Sequence, residues 1–176
     1  MKTKPKIIKT NRLMLRALSL IDQYDFIDII INEEVSLTYM VPSFNSKQEI
    51  VSLFNRFMDL SYDINRFVYG VYLNDKLIGF VNDVEIKNDE IELGYVIAPK
   101  YKNNGYATEV LSNCITSLFD IGYNVIKAGA FIENVASIKV MEKCNMKKTN
   151  IIDKISYKDV EHDCVNYIIK KEIDET

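Results

Sequence analysis

Apolar and polar residues alternate from Ile7 to Leu18, where Leu13, Leu15 and Ala17 stand against Arg12, Met14 and Arg16. A period of two predicts a strand with one buried face. The period then lengthens. Ser19 with Asp22 can cap a helix carrying Ile21, Phe26, Ile29 and Ile30, and Ser46-Lys47-Gln48-Glu49 is a capping box for a second with Ile50, Leu53, Phe54, Phe57 and Met58. Between them, Glu33 to Asn45 holds Tyr39, Met40, Pro42 and Phe44, a cluster that reads as a core plug or as pocket lining. Two β-type runs follow, Arg66 to Leu73 and Leu77 to Ile86, joined by Asn74-Asp75-Lys76. A second turn at Lys87-Asn88-Asp89 leads into Glu90 to Ile97, so a three-strand antiparallel meander is expected. Over 104–121, Ala107, Val110, Leu111, Cys114, Ile115, Leu118 and Phe119 form one stripe that ends at Gly122, the clearest helix of the chain. Val125 to Ile132 is a strand, parallel to the one before the helix because a whole crossover separates them. Asn134 to Met146 is a further helix, and Thr149 to Tyr157 with Cys164 to Lys170 forms a closing hairpin.

Composition narrows this picture. A chain of 176 residues with 48% hydrophobic content builds one well-buried core, so residues 1–176 are expected to form a single domain. A net charge of −3 gives no basic face for nucleic acid. No apolar run reaches the roughly 20 residues of a membrane span, and the first residues lack a signal-peptide core, so a cytosolic protein without a membrane partner is expected. Cys114, Cys144 and Cys164 are odd in number and far apart, which argues for packing and against a disulfide framework or a metal site. The one histidine, His162, reads as a solvated residue of the last hairpin turn, leaving no Ser/His/Asp triad to assemble.

The chemistry is concentrated in Glu92 to Glu109, ELGYVIAPKYKNNGYATE. A strand, a tight loop and a helix N-terminus in succession make an anion cradle, because the first N–H groups of a helix lack internal partners and sit at the positive end of its dipole. Gly105 admits close backbone approach, Ala107 keeps the approach narrow, Thr108 adds a hydroxyl and Lys102 a charge. By itself such a turn also occurs where nothing binds.

Lys102-Asn103-Asn104-Gly105-Tyr106-Ala107 resembles the R/Q-x-x-G-x-G/A diphosphate loop of the GNAT N-acetyltransferases. Glu92-Leu93-Gly94-Tyr95, Pro99, Tyr101 and Thr108-Glu109 are similar to the string found in the branch that includes the ribosomal-protein N-terminal acetyltransferases. Asn134 to Met146 resembles the family's N-x-x-S-x-x-V-x-E-K-x-G-F helix, with Asn145 and Met146 in the last two places, and Thr10 to Arg16 looks like its first strand. Lys102 stands where arginine or glutamine is usual, keeping the charge but losing the fork.

The resemblance implies an α/β (α+β) GNAT-type fold: a mixed, mostly antiparallel sheet of six to seven strands, helices on both faces, and a splay between the fourth and fifth strands. It implies acetyl-coenzyme A as cofactor, its pantetheine arm against Tyr95, Val96 and Ile97, and its diphosphate at Lys102, Asn103, Asn104, Gly105, Tyr106, Ala107 and Thr108. Asn134, Ser137 and Lys143 complete the cofactor set. The expected reaction is direct acetyl transfer to a primary amine, a peptide N-terminus or a small molecule, in a ternary complex. The alternative is a coenzyme A-binding regulator without turnover. A homodimer stays open.

Transfer needs a base for the amine and a proton for the departing thiolate. The family's frequent tyrosine maps to Met141, and the branch's serine to Ser137, which either protonates the sulfur or bonds its own backbone. Where relatives carry a glutamate, this chain has Gly129. Glu92 is therefore the first candidate base, with Asp83 or Glu85 next, each acting through a water. The family's acceptor pocket maps to the region between residues 20 and 65.

Overall fold

A computed structural model describes residues 2–172. Eight strands form one sheet in the order β1-β2-β3-β4-β5-β6-β8-β7: β1 Ile7–Lys9, β2 Met14–Arg16, β3 Tyr69–Leu73, β4 Lys76–Lys87, β5 Glu90–Ile97, β6 Val125–Phe131, β7 Lys147–Tyr157 and β8 Val160–Lys170. Every neighbouring pair is antiparallel except β5 and β6. Five helices cover the two faces: α1 Gln23–Ile30, α2 Glu33–Ser36, α3 Lys47–Tyr62, α4 Tyr106–Asp120 and α5 Val135–Lys143.

The sheet has one strand more than the expected maximum because Ile7 to Leu18 is two strands rather than one. The chain reverses at Thr10, whose backbone N–H donates to Leu13 O at 3.0 Å and whose hydroxyl accepts from the Leu13 N–H at 2.9 Å. The alternation of Leu13 and Leu15 thus belongs to β2 and its turn. The other hairpins follow the polar turn signals. Asn74 and Asp75 take left-handed backbone angles, as do Asn88 and the Lys158–Asp159 pair, the conformation that matches two-residue connections to the twist of their strands. The last turn is therefore Lys158–Asp159, and His162 lies inside β8. Its ring stacks on Phe131 at 4.4 Å, so it is not a solvated turn residue.

Two apolar cores flank the sheet. Ile91, Leu93, Ile126, Ala128 and Val165 meet Val110, Leu111, Cys114 and Leu118 of α4 and Met141 of α5 on one face. On the other, Tyr72, Phe80 and Val96 meet Phe26, Ile29 and Ile30 of α1 and Phe54 of α3. Val41 is buried in that second core and Tyr39 packs against it, so the 33–45 segment is in part the plug its apolar residues suggested. All three cysteines are free and buried, and burial pushes the Cys144 thiol up to about 11, so packing is their role.

Candidate active site

The β5–β6 pairing is brief: Glu90 meets Val125, Ile91 meets Ile126 and Glu92 meets Lys127, after which no register continues. Both strands keep their outer partners, β4 for β5 and β8 for β6, so the sheet opens like a fork rather than fraying. Backbone groups along the inner edge of β5 past Glu92 are left without a strand partner, ready to pair with an extended polar ligand as an added strand would. A cleft of about 580 Å³ occupies this opening, within the usual range of small-molecule sites. Its walls include Tyr95, Val96 and Ile97 of β5, the loop and first turn of α4, and Asn134 with Ser137 at the start of α5.

Gly105 precedes α4 with φ 77°, the left-handed region in which a side chain is strained. A Cβ there would approach Arg12 Nη2 at 3.5 Å, so a substituent would meet the arginine before it met the cleft. None of the backbone N–H groups from Asn103 to Thr108 finds a hydrogen-bond partner among the described residues. Six consecutive free donors beside the positive end of a 15-residue helix suit an anion with several oxygens. Lys102 at the loop and Lys139 and Lys143, one turn apart on α5, put three cations on the cleft wall. Lys102 Nζ meets Glu34 Oε1 of α2 at 3.0 Å, an exposed pair that an arriving anion can displace at little cost.

The structure brings all but one of the residues expected to hold a cofactor to this cleft. Tyr95, Val96, Ile97, Lys102, Asn103, Gly105, Tyr106, Ala107, Thr108, Asn134, Ser137 and Lys143 all line the cleft. Asn104 does not: its amide donates to Tyr101 O at 3.1 Å and Lys102 O at 2.9 Å, so its side chain shapes the loop. Lys139, not singled out in the sequence, lines the cleft as well, and its spacing of four from Lys143 places it on the same helix face.

Asn134 caps α5, its Oδ1 accepting the Ser137 N–H at 3.1 Å, while its Nδ2 donates to Ser137 Oγ at 3.1 Å. The serine oxygen is therefore an acceptor of this amide, and its own hydroxyl proton has no acceptor among the described residues. The backbone-bonding role considered for Ser137 is not seen. Met141 is fully buried in the core, and the Tyr95 hydroxyl donates to Ser137 O at 3.3 Å.

The three carboxylates named as bases are not equivalent. Asp83 lies outside the cleft, 4% exposed, with Arg66 at 2.6 Å and the Phe67 N–H at 2.7 Å. Its oxygens are committed to holding the start of β3, so it is withdrawn as a base. Glu85 is exposed and lies across from Glu92 in the β4–β5 ladder. Glu92, which like Asp83 is not among the residues lining the cleft, occupies the last paired position before the strands part, and its side chain is on the sheet face away from α4. Burial raises its carboxyl above the usual range, Glu85 and Asp153 push the same way, and Lys127 opposes them.

On that face the loop after α2 is pinned from three directions. Tyr157 OH accepts from the Val41 N–H at 3.2 Å and donates to Ser36 O at 2.9 Å, and Tyr39 OH donates to Asn82 Oδ1 at 2.8 Å. Asn134 Nδ2 also reaches Thr38 O at 3.5 Å. Val35, Thr38 and Tyr39 consequently line the cleft opposite the α4 loop. No group of metal-ligating side chains occurs among the described residues, and no described helix is long and apolar enough to cross a membrane.

Comparisons with known proteins agree with this geometry. The uncharacterised N-acetyltransferase YoaA from Bacillus subtilis is 28% identical over 156 residues, 86% of this chain and 88% of that protein. The GNAT-family acetyltransferase from Bacillus anthracis superimposes with a TM-score of 0.80 at 22% identity, covering 93% of this chain and 98% of its own. The ribosomal-protein α-N-acetyltransferase RimL, solved with coenzyme A, gives 0.78 at 16% identity over 93% and 97% of the two chains. The profile of the Acetyltransferase (GNAT) domain matches residues 12–147, and with that match, the forked sheet and the open amide loop, the chain belongs to the GNAT acetyltransferase family.

Proposed function

We propose that the protein transfers an acetyl group from acetyl-coenzyme A directly to a primary amine, with donor and acceptor bound together. The observation that carries this reading is the run of free N–H groups from Asn103 to Thr108 at the end of a cleft that continues between β5 and β6. Bound acetyl-coenzyme A would supply the activated acetyl group and a thiolate leaving group. The chain would hold it with the loop amides and Lys102, Lys139 and Lys143 on phosphate oxygens, and with the backbone of Tyr95, Val96 and Ile97 on the pantetheine amides. Asn134 fixes the Ser137 oxygen, which leaves the hydroxyl proton available to the departing sulfur.

Glu92, at the fork and on the face of the 33–45 loop, is the base for the amine, acting through a water. The resemblance of residues 92–109 and of the Asn134 helix favours the branch of ribosomal-protein N-terminal acetyltransferases, and the carboxylates of Glu85, Glu92 and Asp153 near the fork favour a cationic amine. Met141 and Gly129, which replace the family's usual tyrosine and glutamate, favour one other reading, a coenzyme A-binding regulator. Thiol release measured across a panel of peptide and small-molecule amines, with mass spectrometry of the product, separates the two. Background release throughout, with coenzyme A still bound, would leave only the regulator.

The same assay tests the base. A base must be unprotonated, so kcat/KM falls as pH drops through the raised Glu92 value, and Glu92→Gln lowers the rate and removes that acid limb. Stability runs the other way. A carboxyl raised in the folded state favours folding when protonated, and this contribution is lost as pH rises from the ordinary carboxylate range through the raised value. Above that value Glu92→Gln should melt higher than the parent. A variant with full rate and an unchanged acid limb removes Glu92 from the mechanism.

A further inference from the structure

We infer that Arg12, in the turn between β1 and β2, is a positioning residue that aims the Gly105 N–H into the cleft by holding the Asn104 carbonyl outside it. The inference rests on the reading of the cleft as a donor site. Arg12 Nη1 donates to Asn104 O at 2.9 Å. In a planar trans peptide the carbonyl and the following N–H point in opposite directions, so a carbonyl turned toward Arg12 turns the Gly105 N–H away from it. Gly105, Tyr106 and Ala107 line the cleft, whereas Arg12 and Asn104 do not. The opposite side is therefore the cleft side, and the freed donor is one of the loop donors that would meet the diphosphate.

The guanidinium is held by Glu109 and Tyr106, and Glu109 is itself fixed by further bonds. Nε donates to Glu109 Oε2 at 2.7 Å, the Arg12 backbone N–H donates to Glu109 Oε1 at 2.7 Å, and Thr10 Oγ1 donates to the same oxygen at 2.5 Å. Its plane also lies over the Tyr106 ring, 4.5 Å from the centroid. Glu109 and the Tyr106 ring thus hold the guanidinium, Thr10 and the Arg12 N–H fix the Glu109 carboxylate in turn, and the remaining reach of the side chain is the loop carbonyl. A surface ion pair made for stability alone would need neither the stacked ring nor the bond to Asn104. Lysine cannot reproduce the arrangement, because one ammonium on a flexible stem does not span Glu109 and Asn104 in a fixed plane.

Titration of coenzyme A and of pantetheine, which lacks the diphosphate, into the intact protein and its variants tests this. Arg12→Ala should weaken coenzyme A about tenfold and leave pantetheine unchanged. Arg12→Lys, with the charge retained, should stay weakened about fivefold or more. Glu109→Gln, which leaves Arg12 in place but loosens its anchor, should show a smaller loss with the same selectivity, and melting temperatures confirm that each variant is folded. Unchanged coenzyme A affinity in Arg12→Ala overturns the inference, as does an equal loss for both ligands, which would mean a general collapse of the cleft. Full recovery in Arg12→Lys would reduce the role to charge and also overturn it. Failure of the parent protein to bind coenzyme A sinks the donor-site reading itself, a result distinct from these.

Discussion

Replacing Ser137 by alanine is expected to lower kcat about a hundredfold and to leave the affinity for coenzyme A within about twofold. The asymmetry follows from how the residue is held. Its backbone N–H, which Asn134 Oδ1 accepts, survives the substitution, so α5 keeps its cap and the cleft keeps its wall. What disappears is a hydroxyl whose oxygen is fixed by Asn134 Nδ2 and whose proton has no acceptor among the described residues. Only a step that consumes that proton is sensitive to its loss. Stopped-flow thiol release under saturating donor and acceptor measures it. An unchanged kcat removes the serine from the chemistry, and a parallel fall in affinity would assign it to binding.

The largest effect on stability is expected at Asp83. Its carboxylate is buried and accepts from the Arg66 side chain and from the Phe67 N–H at the entrance to β3. Asp83→Ala leaves that N–H unsatisfied and the guanidinium without its counter-charge, at a cost of about 3 kcal/mol. Asp83→Asn keeps an acceptor for the N–H and should cost roughly half as much. In both variants turnover per folded molecule should match the parent, because the Asp83 oxygens are engaged by Arg66 and the Phe67 N–H. Chemical denaturation gives the first quantity, and thiol release normalised to folded protein the second. A folded Asp83→Asn protein without activity would return this carboxylate to the list of bases.

The parts of the fold that could be read in the chain are those in which one local signal decides the outcome. The stripe from Val110 to Leu118 could serve only a helix with one buried face, and Asn74-Asp75 and Asn88-Asp89 supply residues that tolerate left-handed angles. The turn at Thr10 was hidden because it is made by a threonine hydroxyl and carries neither glycine nor proline. His162 was misplaced because the polar run from Asp159 to Asp163 looks like a turn, whereas only Lys158 and Asp159 form it and the rest enter β8. The helix α2 did have a signal that went unread. Asn32 followed by Glu33 and Glu34 is a cap with acidic residues in the first turn, and the Asn32 side chain accepts from Glu34 N–H at 3.0 Å.

The site divides in the same way. The loop at the mouth of α4 is contiguous, so its residues were visible together. Carboxylates on a strand are not distinguishable by spacing: Asp83 and Glu92 each read as a charge in a β run, and only three-dimensional neighbours separate an ion pair from a group at the fork. The bond between Arg12 and Glu109 joins residues 97 apart in sequence, and nothing local in the chain announces it.

Amide hydrogen exchange with and without coenzyme A measures the central claim most directly. In the free protein the N–H groups of Asn103 to Thr108 have no acceptor among the described residues and should exchange fast. Saturating coenzyme A should slow them together with amides along the inner edge of β5 from Tyr95 to Ile97, while the β7–β8 hairpin exchanges as before. Saturable binding that leaves 103–108 exchanging at the free rate would contradict the account.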